Sequence, residues 1–242
     1  MNAPVIVTDA IVIQAIRHTD TTMVVTLLTQ ELGRIAMVVS SNRRSRKQSV
    51  IPLLAPLSLV SIEAYMHKST RMPRITEIHC RYPLATLHFN AVRRSIAMFI
   101  SELLVRTLRD EGRDENLYNM IDESIRMLDG GLEGESNFHI LFMYKLASVL
   151  GFEPDIAATS YPFFDMEEGC MTSQIPFHRH YLSGEEKALF VRLARADIAH
   201  LADIAQNVEE RTTLIKILED YFRLHIPQFE GLNSPYILSL LR

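Results

Sequence analysis

Up to Tyr82-Pro83 the apolar residues of this chain come in short β-branched runs, and beyond it they recur every three or four positions. One polypeptide must therefore supply first a sheet and then a set of helices. Five strand-sized stretches precede the change: Val5 to Ala15, Met23 to Thr29, Ile35 to Ser40, Leu57 to Tyr65 and Arg74 to Ile78. Turn-forming residues separate them at Thr19-Asp20-Thr21, at Gly33, along Asn42 to Lys47 and at His67-Lys68-Ser69. Such a series matches a small five-stranded antiparallel barrel of the OB type, and an SH3-like barrel would give much the same pattern.

After Pro83, Ile96, Phe99, Ile100, Leu103, Leu104 and Leu108 fall at helical steps, which predicts an amphipathic helix over Asn90 to Glu111 ended by Gly112. Further helices are predicted over Glu115 to Leu128 and Asn137 to Leu150, the latter closed by Gly151 with Pro154 behind it. Ser183-Gly184-Glu185-Glu186 and Asn207-Val208-Glu209-Glu210 have the form of capping boxes. Tyr161 to Cys170 interrupts the helical series with aromatics and a glycine, as an extended segment or a small hairpin would. The fold class is α+β and multi-domain, with a barrel domain at 1–82 and a mainly α-helical domain at 83–242.

Charge divides along the same line. The whole chain has 25 basic and 29 acidic residues, but residues 1–80 hold nine Lys and Arg against five Asp and Glu. No acid lies between Glu31 and Glu63, and Asn42-Arg43-Arg44-Ser45-Arg46-Lys47 sets four cations within five positions. A basic run on a small barrel is an anion-binding signal, and phosphates are its commonest target; a solvated loop is the plain alternative. The candidate phosphate contacts are Arg34, Arg43, Arg44, Arg46, Lys47, Lys68, Arg71 and Arg74. With Tyr65 the only aromatic before Tyr82 at the barrel's end, binding is expected to be largely electrostatic and tolerant of sequence.

Several chemistries lack their sequence support. There is no P-loop, GxGxxG, HExxH or GxSxG, and the adjacent pairs Glu167-Glu168 and Glu209-Glu210 diverge on any regular backbone, so no catalytic residue is nominated. His178 and His180 could share one face of a strand with Cys170 or Glu168 nearby, which makes metal-assisted hydrolysis the remotest of the readings. No cofactor is expected. The first residues lack the charge pattern of a signal peptide and no apolar run approaches roughly 20 residues, so a cytoplasmic protein with no membrane partner is expected.

The segments Ala10-Ile11-Val12-Ile13 and Val25 to Arg34 (VTLLTQELGR), followed by the basic tract, resemble the N-terminal pattern of the RecO family. Ala64 to Ile78 (AYMHKSTRMPRITEI), Gly151-Phe152-Glu153-Pro154, Phe164 to Gly169 (FDMEEG) and Tyr221 to Pro227 (YFRLHIP) resemble RecO of the Bacteroidetes type, so the likeness runs through nearly the whole chain. The resemblance implies an N-terminal OB fold, a helical C-terminal domain, binding of single- and double-stranded DNA, and annealing of complementary strands without hydrolysis. It also implies contacts with RecR and with the C-terminal tail of single-stranded-DNA-binding protein, an indirect role in loading RecA during gap repair, and association with the nucleoid at that time. Arg93, Arg94 and Arg106 on the first long helix are the candidate cations for the acidic, Phe-ending tail. A different class of function, a protein-interaction adaptor that binds no DNA, fits the acidic helical domain.

Two departures from the family pattern stand out. Many relatives carry a four-cysteine zinc module after the Gly-x-x-Pro turn, whereas Asp155 to Cys170 offers only Cys170; the first turn reads Asp20, Thr21, Thr22 and keeps one carboxylate. Cys80 and Cys170 lack the neighbours that a tetrahedral thiolate site needs. Treatment with a strong chelator is predicted to leave the melting temperature unchanged; stoichiometric zinc whose removal destabilises the protein would contradict this.

Overall fold

The structure, a computed structural model, describes residues 4–40, 49–66, 72–109 and 112–234. Five strands open the chain: β1 (Val5–Arg17), β2 (Thr22–Thr29), β3 (Gly33–Ser40), β4 (Leu59–Tyr65) and β5 (Arg74–Tyr82). They close into a barrel in the order β1-β2-β3-β5-β4, with β3 and β5 parallel and every other pair antiparallel. That Greek-key order is the OB topology, so the barrel expectation holds and the SH3-like alternative falls away.

Its interior is filled by alternate residues, Ala10 and Val12 from β1, Val25 and Leu27 from β2, Met37 and Val39 from β3, and Val60, Ile62 and Ala64 from β4. One strand cannot border both β2 and β4 of a tight barrel without bending. The pairing of β1 with β2 shifts between Val12 and Gln14, leaving Ile13 as a bulge. Beside it Leu57 stands at φ 63°, an uncommon value for a residue with a Cβ, and its N–H donates to the Val12 carbonyl at 2.7 Å.

Helices α1 (Ala91–Thr107) and α2 (Glu115–Gly130) follow. Asn90 caps α1, its side chain accepting the N–H groups of Val92 and Arg93. The two helices share one compact unit with the barrel, Met1–Gly130, while Gly131–Arg242 forms the other. Their attachment is polar as well as apolar. The Ser101 hydroxyl donates to the carbonyl of the bulged Ile13 at 2.6 Å. Arg81 of β5 hydrogen-bonds Asp122 of α2 and lies 3.6 Å from Asp9 of β1, and Arg126 stacks over the Tyr82 ring at 4.5 Å. Asp129, at the end of α2, accepts the backbone N–H groups of Ala85, Thr86 and Leu87 at 3.0, 2.8 and 2.7 Å. Burial works to raise its pKa, but these donors outweigh that and hold the carboxyl below its ordinary range.

The second unit is built on α3 (Phe138–Val149), buried on nearly every side, against α4 (Gly184–Ala194) and α6 (Val208–His225), with α5 (Leu201–Ile204) packed on α4. The interruption at Tyr161 to Cys170 is the first part of a small sheet, β6 (Phe163–Asp165) pairing with β7 (Cys170–Thr172) and β8 (Tyr181–Leu182). Gly151, at φ 88°, ends the α3 region as the sequence predicts, letting the Phe152 N–H return to the Ala147 carbonyl. Of the two capping boxes, Asn207 accepts the Glu210 N–H at 2.9 Å, whereas the Ser183 side chain makes no cap bond. His139 on α3 is wholly buried, and burial, then the Arg211 charge, depresses its pKa to about 3, so it is a neutral core residue.

Asp129 ties the connection after the barrel to α2, so Asp129→Ala leaves three backbone donors without their acceptor. The variant is predicted to lose roughly 2–4 kcal/mol in urea unfolding, and Asp129→Asn, which keeps one acceptor oxygen, distinctly less. Since the native pKa is lowered, this stabilisation is full above the unfolded pKa and disappears as pH falls through the folded one.

Candidate nucleic-acid interface

Residues that alternate with the barrel core face outwards, and on β1 the bulge decides which they are. Before it Ala10 and Val12 point inwards; after it Ala15 does, which leaves Gln14 and Ile16 outside. Ile16 pairs with Val24, Val24 with Val38, Val38 with Arg74, and Arg74 with Tyr65. The five form one row across neighbouring strands, spanning about 19 Å at ~4.8 Å per strand. It is open to solvent, with Ile16 55% and Tyr65 41% exposed and Arg74 exposed. Aliphatic side chains, a guanidinium and an aromatic ring in line can meet bases and a phosphate.

The same register brings together the strand ends that border the two basic runs of the sequence. The segment 41–48 leaves from Ser40, two residues beyond Val38, and 67–71 returns through Pro73, whose carbonyl accepts the Val38 N–H at 2.8 Å. Arg43, Arg44, Arg46, Lys47, Lys68 and Arg71 themselves lie outside the described residues. Arg17, exposed at the end of β1 one residue past Ile16, is a cation that was not among the candidates read from the sequence.

Arg34 is placed elsewhere. It pairs with Leu28, which is 2% exposed and neighbours the fully buried Ile11, and the Arg34 Nε is itself buried. The structure therefore groups Arg74 with the open row and separates Arg34 from it. Ile16 was not legible as a surface residue, because a two-residue period run through β1 cannot register the extra residue at Ile13.

The three helix arginines are not brought together either. Arg93 donates to the Thr86 hydroxyl at 2.6 Å and to the Asp129 carbonyl at 3.3 Å, so it is engaged in the joint after the barrel. Arg94 is exposed, and Arg106 donates to Glu102 at 3.2 Å one turn away; at 1.5 Å per residue the two stand about 18 Å apart along α1.

In the second unit an open pocket of about 350 Å³ has Ala188, Val191 and Ala196 on its apolar side and Arg192, Arg195, His200 and Asp203 around it. Arg192 is anchored through its Nε to the Ile204 carbonyl at 3.1 Å and pairs with Glu210; Arg195 reaches the Thr159 hydroxyl at 2.9 Å and remains exposed. The hydrogen bond and then the charge of Asp197 raise the pKa of His200, favouring its cationic form.

His178 and His180 do sit side by side, with ring centroids 6.1 Å apart. His178 has its Nε2 3.3 Å from Asp165, while its Nδ1 accepts the His180 N–H at 3.2 Å and lies 3.5 Å from Glu167. Among the described residues no group of three or more His, Cys, Asp and Glu is placed to hold a metal ion, and no helix is long and apolar enough to cross a membrane.

Comparison with known proteins agrees with this architecture. Residues 1–83 match the family model described as Recombination protein O N terminal, and residues 88–233 the one described as Recombination protein O C terminal. The chain is 35% identical over 236 residues to the DNA repair protein RecO of Phocaeicola vulgatus, covering 97% of this chain and 98% of that one. It is 30% identical over 238 residues to the protein of the same name from Bacteroides fragilis, at 97% and 98% coverage, and 29% identical to that of Flavobacterium psychrophilum, at 97% of both. With both family models matched in order and relatives aligned end to end, the chain belongs to the RecO family of DNA repair and recombination proteins.

Proposed function

We propose that this protein is a non-catalytic DNA-binding and strand-annealing mediator of recombinational repair, acting in the cytoplasm at the nucleoid, which helps RecA load at gaps coated by single-stranded-DNA-binding protein and works with RecR. The observation that carries the reading is the open Tyr65–Arg74–Val38 row, lying beside the strand ends Ser40 and Arg74 next to which the sequence holds the basic runs 43–47 and 68–71. Annealing needs no catalytic group. Cations that screen phosphate repulsion on two strands, while base edges stay free, let pairing supply the driving force.

Replacing Arg43, Arg44, Arg46 and Lys47 together by Ala is predicted to weaken binding of an oligonucleotide and to flatten its salt dependence. The expected change is about 0.7 log units of slope for each single-strand phosphate that is no longer neutralised. An unchanged slope in anisotropy titrations would remove the tract from the interface. Full binding of partner proteins by a chain that binds neither single- nor double-stranded DNA would favour the adaptor function instead.

The C-terminal tail of single-stranded-DNA-binding protein, acidic and ending in Phe, is assigned to the helical part of the chain. The pocket beside α4 supports this with an apolar side for a ring and an exposed guanidinium for carboxylates. In calorimetric titration of the tail peptide against the full chain, Arg195→Glu should weaken binding at least about fivefold, the worth of one charge-assisted contact. If Arg195→Glu binds normally and Arg94→Glu with Arg106→Glu does not, the site is on α1.

A further inference from the structure

The β7–β8 connection, Ser173 to His180, exposes Ser173, Gln174, Ile175, Phe177 and Arg179 in a defined conformation. Thr172 Oγ1 accepts the Gln174 N–H and the His180 N–H meets His178 Nδ1, while Pro176 fixes the backbone between Ile175 and Phe177. At the tip Phe177 is 109% exposed, the most exposed large apolar side chain described, with Ile175 also open. A ring held so far from any partner leaves a large apolar face in water, which a partner would cover with gain.

The charges around it narrow what that partner is. Gly131–Arg242 carries 16 acids against 9 bases, so this unit as a whole does not attract a phosphodiester chain by its field. The loop itself holds no carboxylate, Arg179 is exposed two residues after Phe177, and the two acids at its base are faced by His178. A single ring with one cation beside it is a stacking element that reads any base and grips little of the backbone.

We infer that the β7–β8 loop is a second contact for single-stranded nucleic acid, with Phe177 stacking on a base and Arg179 on the adjoining phosphate. This rests on the DNA-binding function proposed above and adds to it a contact of different physics. The barrel's contribution falls with salt, while that of Phe177 does not, because stacking releases no counterions.

The chain contains no Trp, so Phe177→Trp creates a single tryptophan at the tip, which can be excited apart from the eight Tyr. Titration of this variant with an oligo(dT) strand should quench the emission to the same endpoint at low and high salt. Phe177→Ala, which removes a side chain with no intramolecular packing to lose, should keep the wild-type melting temperature. It should weaken oligo(dT) binding about tenfold at both salt concentrations without changing the salt slope. Saturated binding by anisotropy with no quenching overturns the inference. So does a blue shift that grows with protein concentration alone, which would place the loop on a protein surface. If the wild-type chain binds no oligonucleotide at all, the proposed function fails and this contact with it; if it binds and Phe177→Ala binds equally well, only the contact fails.

Discussion

The bulge at Ile13 governs more of the first unit than any other local feature. A five-stranded barrel needs β1 to border β4 with its first half and β2 with its second, and the extra residue lets the strand turn from one to the other. The same residue reverses the phase of the strand, so that Ala15 enters the core and Ile16 joins the outer row. It also turns the Ile13 carbonyl towards α1, where Ser101 takes it up. Closure, exposed surface and helix attachment thus follow from one inserted position.

Polar groups then make a single body of barrel and helices. Arg81 reaches both Asp9 and Asp122, and Asp129 gathers three successive N–H groups from the connection that follows Tyr82. Such groups hold one arrangement because each loses its partner in any other, and an unmatched buried donor or acceptor costs more than a matched one contributes. For this reason the compact unit runs to Gly130 although the barrel ends at Tyr82. Arg93, which by composition alone is a free cation on a helix, is part of this joint.

The uneven charge has a functional logic within the RecO family assignment. Met1–Gly130 has 16 bases against 13 acids, six of those bases in the sequence runs 43–47 and 68–71, whereas Gly131–Arg242 has 9 bases against 16 acids. An uneven division of this kind keeps electrostatic attraction of an anion local to the basic part and sensitive to salt.

Period and composition were enough to foresee the element types. β-Branched runs, Gly33, Gly151 and the Asn207 cap mark strands, turns and helix ends because these are short-range preferences that act within a few residues. The basic tract and the family resemblance were equally plain in the chain. Which side chains share a surface was not. The β3–β5 pairing sets Val38 against Arg74 across 36 positions, and the bulge moves Ile16 outside; both depend on register, which no local period encodes. The same holds for Arg34, conspicuous as a cation yet placed opposite a buried Leu28, and for Phe177, apolar by type yet wholly in solvent. Burial is a property of neighbours brought from distant parts of the chain, so it was decided by the closed barrel and the small sheet, not by the residues themselves.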